Sequence, residues 1–531
     1  MKTTVVNQFK ELPDVDFGRN KFYKPSGMLT TMDPGILYPV YRAEVYPGQT
    51  KELKSSFFGR INTLIVPGYY NIYMDYHLWY IPNRLLWKNW NAFLGEEDSN
   101  YGLEPGSEPP SNDYLEPIVE APEGGFPRYG LADYLGIPPA IDNLWFDAKF
   151  ARGYNLIWNT FYRSELLQDP VYVPTDDGPD PSSYYNLLPR GKRFDYFTSC
   201  LPSPQRGQAV TLPVGSEAPV VTSSKGVVLP VLRNTDSAVL QGDVYVNSGV
   251  NPPSLYLSSA NTVNVSGTNT NLVADLSSAI APSLMAFREA VALEQFLERE
   301  NRYGTRIKEL IYGHFGVDCP DYRAQLPEYL GGTTVRLDVS QVPQTSASTA
   351  DVTPQGNLSA YGTLANSGSG FVKSFTEHGI ILGLVSFRAD LQYQQGIERF
   401  LQRRQKLDYF FPEFTGLSDQ EVYLREIYAQ GTSDDNTVFG YQERNGDLRN
   451  SQFLITGKMR SQDPQSLDTW HLAQYFENAP SLNSEFIVEN PPMERIVAVQ
   501  NEPIFTLDVF HEDYDTYVGL PRFGVPGLSR I

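Results

Sequence analysis

The chain has 531 residues, and its net charge of −20 comes from 42 Lys and Arg set against 62 Asp and Glu. That balance excludes a protein that grips nucleic acid over a broad surface by neutralising phosphates. With 29 Phe, 34 Tyr, 40 Pro and 42 Gly, and 41% apolar residues, it is no disordered or coiled-coil chain but a turn-rich, β-leaning one.

The first segment, to about Asp98, reads as strands. Ile61-Asn-Thr-Leu-Ile-Val66 is followed by a turn at Pro67-Gly68 and then by an alternating run. There Ile72, Met74, Tyr76, Leu78 and Tyr80 share one face, and Asn71, Tyr73, Asp75, His77 and Trp79 share the other. The first face predicts core. The second, aromatic and polar, suits a sheet covered by another layer of polypeptide. Residues 82–95 predict a short helix carrying Leu86, Trp90 and Phe93 on one side and ended by Gly95.

Residues 96–127 hold nine acidic residues and no Lys or Arg, interrupted by Pro105, Pro109, Pro110, Pro117 and Pro122, and predict a solvated surface loop. A second helical patch lies at 131–138 and 151–164, with Tyr154, Ile157, Trp158 and Phe161 at helical spacing for core packing. Between Gln208 and Ser278 charge nearly vanishes and short β runs such as Val227-Val-Leu229 and Val244-Tyr-Val246 alternate with turns, which predicts an inserted β module. Then comes one long charged helix, with Leu284, Phe287 and Val291 on its apolar side, Glu298 and Arg302 spaced for an ion pair, and Gly304 as breaker. Gly379-Ile-Ile-Leu-Gly-Leu-Val-Ser-Phe-Arg-Ala-Asp390 predicts a strand buried on both faces, and 502–510 a closing strand. The resulting division is 1–207 and 279–531 as one core domain, with 208–278 inserted.

No apolar run reaches the roughly 18 residues that a membrane span needs. The start, Met1 to Lys10, lacks the apolar stretch and cleavage site of a signal peptide, so assembly in the cytoplasm is expected. Cys200 and Cys319 have no disulfide or metal spacing and are expected as small buried filler.

Chemistry is scarce. Phosphate-binding glycine loops, zinc-binding helices and nucleophile elbows are absent, and the five histidines are dispersed, so no enzyme is expected. Asp508, His511, Glu512, Asp513 and Asp515 could surround a hard cation, but a solvated strand end is the preferred reading. Asp176-Asp-Gly-Pro-Asp180 lacks a full calcium-loop pattern and predicts a turn. No cofactor is expected, and a structural divalent cation such as calcium has no motif behind it. Arg190, Lys192 and Arg193 form one basic cluster; Arg403, Arg404 and Lys406 belong to a second that runs into Leu407-Asp-Tyr-Phe-Phe-Pro-Glu-Phe414. Cations interleaved with aromatics can hold phosphates while bases stack, so these six are nucleic-acid-facing candidates, with ion pairs at interfaces as the favoured alternative.

Several blocks in register carry a resemblance: Phe58-Gly-Arg-Ile-Asn-Thr63, Tyr80-Ile-Pro-Asn-Arg-Leu-Leu-Trp87, Leu201-Pro-Ser-Pro-Gln-Arg-Gly207, the helix from Phe287 to Leu310, Pro327-Glu-Tyr-Leu-Gly-Gly332, Thr353-Pro-Gln-Gly-Asn-Leu358, Tyr393-Gln-Gln-Gly-Ile-Glu398 with Arg399, Val438-Phe-Gly-Tyr-Gln-Glu-Arg444, Trp470-His-Leu-Ala-Gln-Tyr-Phe476 and Gly524-Val-Pro-Gly-Leu528. Together they resemble the major capsid protein of the Microviridae, small single-stranded DNA bacteriophages, and most of all the gokushovirus branch. The resemblance implies an eight-stranded antiparallel jelly roll with long loops and a few short helices. It implies a T=1 icosahedral shell of about sixty copies, a virion location, and an exposed insertion at each three-fold axis for host contact. Implied partners are the chain itself, a single-stranded DNA genome, a small basic packaging protein, a minor capsid or pilot protein and a host surface receptor. The rival reading is a carbohydrate-binding or glycoside-cleaving β protein, for which no facing carboxylate pair is identifiable.

Overall fold

The computed structural model describes residues 18–95, 114–208, 210, 284–346, 355–414, 416–417, 419–499 and 503–522, with the backbone of six short strands between 220 and 274. The Val227-Val-Leu229 run, most of the acidic loop, the Gly524–Leu528 block and the first residues lie outside these. The chain divides into two compact units, residues 1–204 with 300–531, and residues 205–299.

Nine strand segments build the two main sheets of the larger unit: β1 (Arg19–Met32), β2 (Tyr38–Val45), β3 (Thr50–Leu64), β4 (Ile72–Pro82), β5 (Glu328–Arg336), β6 (Asp338–Pro343), β7 (Leu358–Ser374), β8 (Gly379–Ala389) and β9 (Phe505–Val518). They form two antiparallel sheets, ordered β1-β9-β3-β7-β6 and β5-β4-β8-β2. Phe57, Ile61, Leu364, Leu507 and Val509 of the first sheet share one core with Met74, Tyr76, Ile381, Val385 and Phe387 of the second. Phe387 and Phe505 stack between the sheets at 4.0 Å, a pairing that adds about 0.5–1.5 kcal/mol to the area buried. The two facing antiparallel sheets form a jelly-roll sandwich, as the sequence led one to expect.

β5 and β6 are one extended run broken only at Leu337, whose side chain is buried and whose amide donates to the Ile72 carbonyl. The strand therefore leaves one sheet and enters the other. Where β7 crosses β3, a bulge between Asn366 and Ser369 lets Gly370 lie against the neighbouring backbone; a Cβ there would come within 1.8 Å of the Leu53 carbonyl oxygen.

The expected double burial of β8 is borne out: every residue from Gly379 to Phe387 is buried. Its second face, with Trp79 and Ile81 of β4, packs against helix α1 (Ala148–Ile157), which supplies Ala151, Tyr154 and Ile157. The covering layer inferred from the mixed face of β4 is thus α1 and the loops around it. α1 runs on through a π turn, Trp158–Tyr162. The predicted helix at 82–95 is two single turns, Asn83–Leu86 and Trp90–Phe93, burying Leu86 and Trp90 but leaving Phe93 exposed. A third cluster around Phe197, Val422, Ile427, Phe439 and Phe486 holds the long loops.

The smaller unit contains three antiparallel pairs: Val220–Thr222 with Leu272–Ala274, Val231–Leu232 with Val239–Leu240, and Val244–Asn247 with Ser254–Leu257. Helix α2 (Leu284–Tyr303) begins in this unit, and α3 (Ile307–Phe315) follows in the larger one.

Candidate functional site: an exposed apolar surface and its charged surroundings

α2 has 20 residues, and the only buried one is Asn301. Its apolar side is real, as Leu284, Phe287 and Val291 predicted, but these side chains are exposed, as are Met285, Leu293 and Phe296. α3 has no fully buried residue, although Leu310 and Ile311 are half-buried, and Phe315 at its end is 79% exposed. Short helices in water draw most of their stability from a packed apolar face. Both helices carry such apolar residues exposed among the described residues. Arg302 is held by Asp419 and by Glu443 at 3.1 Å.

The loop from 397 to 417 is similar, three 3-10 turns with Phe400, Leu401, Leu407, Tyr409, Phe410 and Leu417 exposed. Exposed apolar groups this numerous and this clustered mark surfaces that another polypeptide covers.

The two basic clusters differ in kind. Arg190 lies over the Tyr162 ring at 4.5 Å, and burial, with Arg388 nearby, lowers its pKa to about 10. Lys192 is buried over Phe486 at 4.3 Å and donates to Gln474; burial brings it down to about 8. Arg193 pairs with Asp390 at 2.9 Å and stacks on Tyr73. All three are built into packing. Beside them Glu489 accepts from the Ala389 amide, and burial raises its carboxyl to about 7. In the second cluster Arg403 pairs with Asp447, whereas Arg404 and Lys406 are exposed.

Two acidic motifs turn out to hold cations that are side chains. In β9 the strand alternation turns His511, Asp513 and Asp515 inward and leaves Asp508 exposed on the other face, so the solvated strand end is corrected. Lys51, buried in β3, sits 3.0 Å from Asp515 and 3.2 Å from Asp513. Tyr41 donates its hydroxyl to Asp513 and Gln49 its amide to Asp515. Burial alone would raise the Asp515 carboxyl, but hydrogen bonds and charge from Lys24 and Lys51 bring it below the ordinary value. His511 is held by Ser55 at Nδ1 and by the Val40 carbonyl at Nε2.

The Asp176–Asp180 turn likewise closes on Arg152, which donates Nε and Nη2 to the two Asp180 oxygens at 2.7 Å each and Nη1 to the Asp176 carbonyl. Trp87 and Asn89 donate to Asp177. A signal for the first network exists in the sequence: Lys51 falls in phase with Leu53 and Phe57, and Asp513 and Asp515 in phase with Leu507 and Val509. Among the described residues no three His, Cys, Asp or Glu side chains converge as a metal requires. Cys200 is buried and Cys319 only partly so, which corrects the expectation of two buried thiols; both are free. Among the described residues no helix is long and apolar enough to cross a membrane.

A chain with a jelly-roll core, no reactive centre on view and large uncovered apolar faces is what a shell subunit requires. The family model described as "Capsid protein (F protein)" matches residues 11–528. The chain belongs to that phage capsid protein family. It is 38% identical to the capsid protein VP1 of Bdellovibrio phage phiMH2K, covering 98% of this chain and 97% of the relative. Identity to VP1 of Chlamydia phage 1 is 35%, covering 100% and 99%, and to VP1 of Spiroplasma virus 4 it is 33%, covering 99% and 98%. The gokushovirus-like resemblance is borne out. The capsid protein is structural, not enzymatic, and its place is the virion, where it assembles with copies of itself.

Proposed function

We propose that this capsid protein forms a T=1 icosahedral wall of about sixty copies around circular single-stranded DNA, with α2, α3 and the 397–417 loop buried between neighbouring copies. The observation that carries this reading is the pair of amphipathic helices on which Leu284, Phe287, Leu293, Ile307, Tyr312 and Phe315 are exposed. The insertion 208–278 would stand at the three-fold axes and meet the host receptor, since a charge-poor run of short strands and turns with few large apolar residues suits an exposed module more than a core.

The charge supports a further partner. About sixty copies at −20 each bring on the order of −1,200 charges to a shell that must also hold a polyanion. A small, very basic packaging protein would neutralise the genome, with Arg404 and Lys406 the best placed of the six candidates to assist; a pilot protein would complete the particle. Negative-stain microscopy of the purified chain tests the assembly: small closed particles are expected, and a persistent monomer refutes it. Particles of this chain alone should hold little DNA at moderate salt, and abundant encapsidated DNA refutes the need for the basic partner.

A further inference from the structure

One cavity of about 400 Å³ is lined by Arg399, Arg403, Arg425 and Arg444 together with Asp408, Asp419, Glu421, Glu426 and Tyr423. In a chain this acidic, four arginines on one cavity call for an account. The lining acids are each engaged: Asp408 accepts the Arg404 and Gln405 amides, Asp419 holds Arg302, Glu421 accepts the Tyr423 hydroxyl, and Glu426 holds Arg399 and Tyr196. Arg403 is engaged with Asp447. Arg425 and Arg444 have no carboxylate partner among the described residues; Arg425 lies over the Tyr423 ring, and its buried Nε has no hydrogen-bond acceptor. The exposed side chain of Leu407 also contributes to the cavity.

Elsewhere on the same unit lies a surface of opposite character. Glu120 ends a short strand, Ile118–Glu120, whose ladder partner at that position is Trp145, and Glu123 follows in the next turn. Both carboxylates are exposed and have no ion-pair partner among the described residues. Around them in sequence and ladder stand Leu115, Tyr129 and Trp145, and Trp145 is 65% exposed, far more than a Trp without a partner should be. Neither glutamate lines the arginine cavity of its own chain.

We propose that the Glu120–Glu123 surface of one copy docks on the Arg425–Arg444 cavity of its neighbour, with Trp145 as the apolar anchor and the guanidiniums taking the carboxylates. This rests on the reading that copies of the chain assemble. The contact is head to tail, joining two different patches, so repetition about a symmetry axis closes it into a ring. A nucleic-acid strand is the poorer occupant: its closely spaced phosphates would meet the exposed Asp408 and Glu421 at the same opening, whereas isolated carboxylates on a turn pass between them.

Charge reversal and rescue test this in the full-length chain, with particle formation followed by sedimentation. Arg425→Glu with Arg444→Glu, and separately Glu120→Lys with Glu123→Lys, should each raise the concentration needed for particles by about tenfold or more, because like charges would face one another. All four changes together should restore assembly to within about threefold of the parent. The glutamate pair alters only exposed side chains, so its effect stands whatever the arginine changes do to the subunit. Assembly untouched by either pair, or a fourfold variant no better than the worse pair, overturns the docking. So does loss of encapsidated DNA at unchanged particle yield in the arginine variant, which would make the cavity a genome contact. Failure of the parent chain itself to form particles strikes the assembly reading instead.

Discussion

Replacing Lys51 by Met would remove a cation from between the two sheets while keeping most of the volume. Lys51 lies 3.0 Å from Asp515 and 3.2 Å from Asp513, with side-chain exposures of 2%, 0% and 9%. Removing one partner of a buried ion pair costs about 3–5 kcal/mol, because the other charge stays buried without it. Lys24 still reaches Asp515 at 2.6 Å, and Tyr41 and Gln49 still donate, so the lower end, about 3 kcal/mol, is expected. Urea unfolding followed by tryptophan fluorescence would show it as a midpoint roughly 1 M lower at pH 7.

Acidity supplies the second half of the test. In the parent the Asp515 carboxyl is held below its ordinary value, so its stabilising contribution is present above about pH 4 and lost as pH falls further. In Lys51→Met the Asp515 carboxylate protonates more readily, and the gap between variant and parent should narrow by pH 4. Adding Asp513→Asn and Asp515→Asn should recover most of the loss. A midpoint shift below about 0.3 M, or a gap of equal size at both pH values, would refute the buried-pair argument.

Two other outcomes follow from buried groups. Burial, with Arg190 next, lowers His77 to about 4 while its Nδ1 stays bonded to Tyr162, so the folded chain resists protonating it. Stability should therefore be full above about pH 6.5 and fall as pH drops towards 4, by about 3 kcal/mol from this group, and His77→Gln should flatten that fall in pH-dependent unfolding. Burial also pushes the Cys200 thiol well up, so a maleimide should label one cysteine, Cys319, in the native subunit and two after denaturation; rapid native labelling of both would contradict the packing around Cys200.

Much of the core was legible because period-two patterns speak directly about faces. Ile72 to Tyr80 and Gly379 to Ala389 gave the second sheet, and the mixed face of β4 announced the layer now seen as α1. The ionic networks were not read, although their phase was available, because acidic clusters suggest solvent until alternation is followed residue by residue through Asp513 and Asp515. Other relations cannot be written in a local pattern. Arg152 meets Asp180 only after the chain has turned, and Arg302 reaches Asp419 across 117 residues of sequence. For α2 the sequence names the apolar side, yet amphipathicity is silent on what lies against it, and among the described residues those side chains are exposed.

The passage of one strand through Leu337 from sheet to sheet has a mechanical consequence. Two stacked layers joined only by side-chain contact can slip past each other under a tangential load. Here slippage would have to rupture backbone hydrogen bonds on both sides of a single covalent run, so a push along the wall meets a stitched fabric instead of two loose plies.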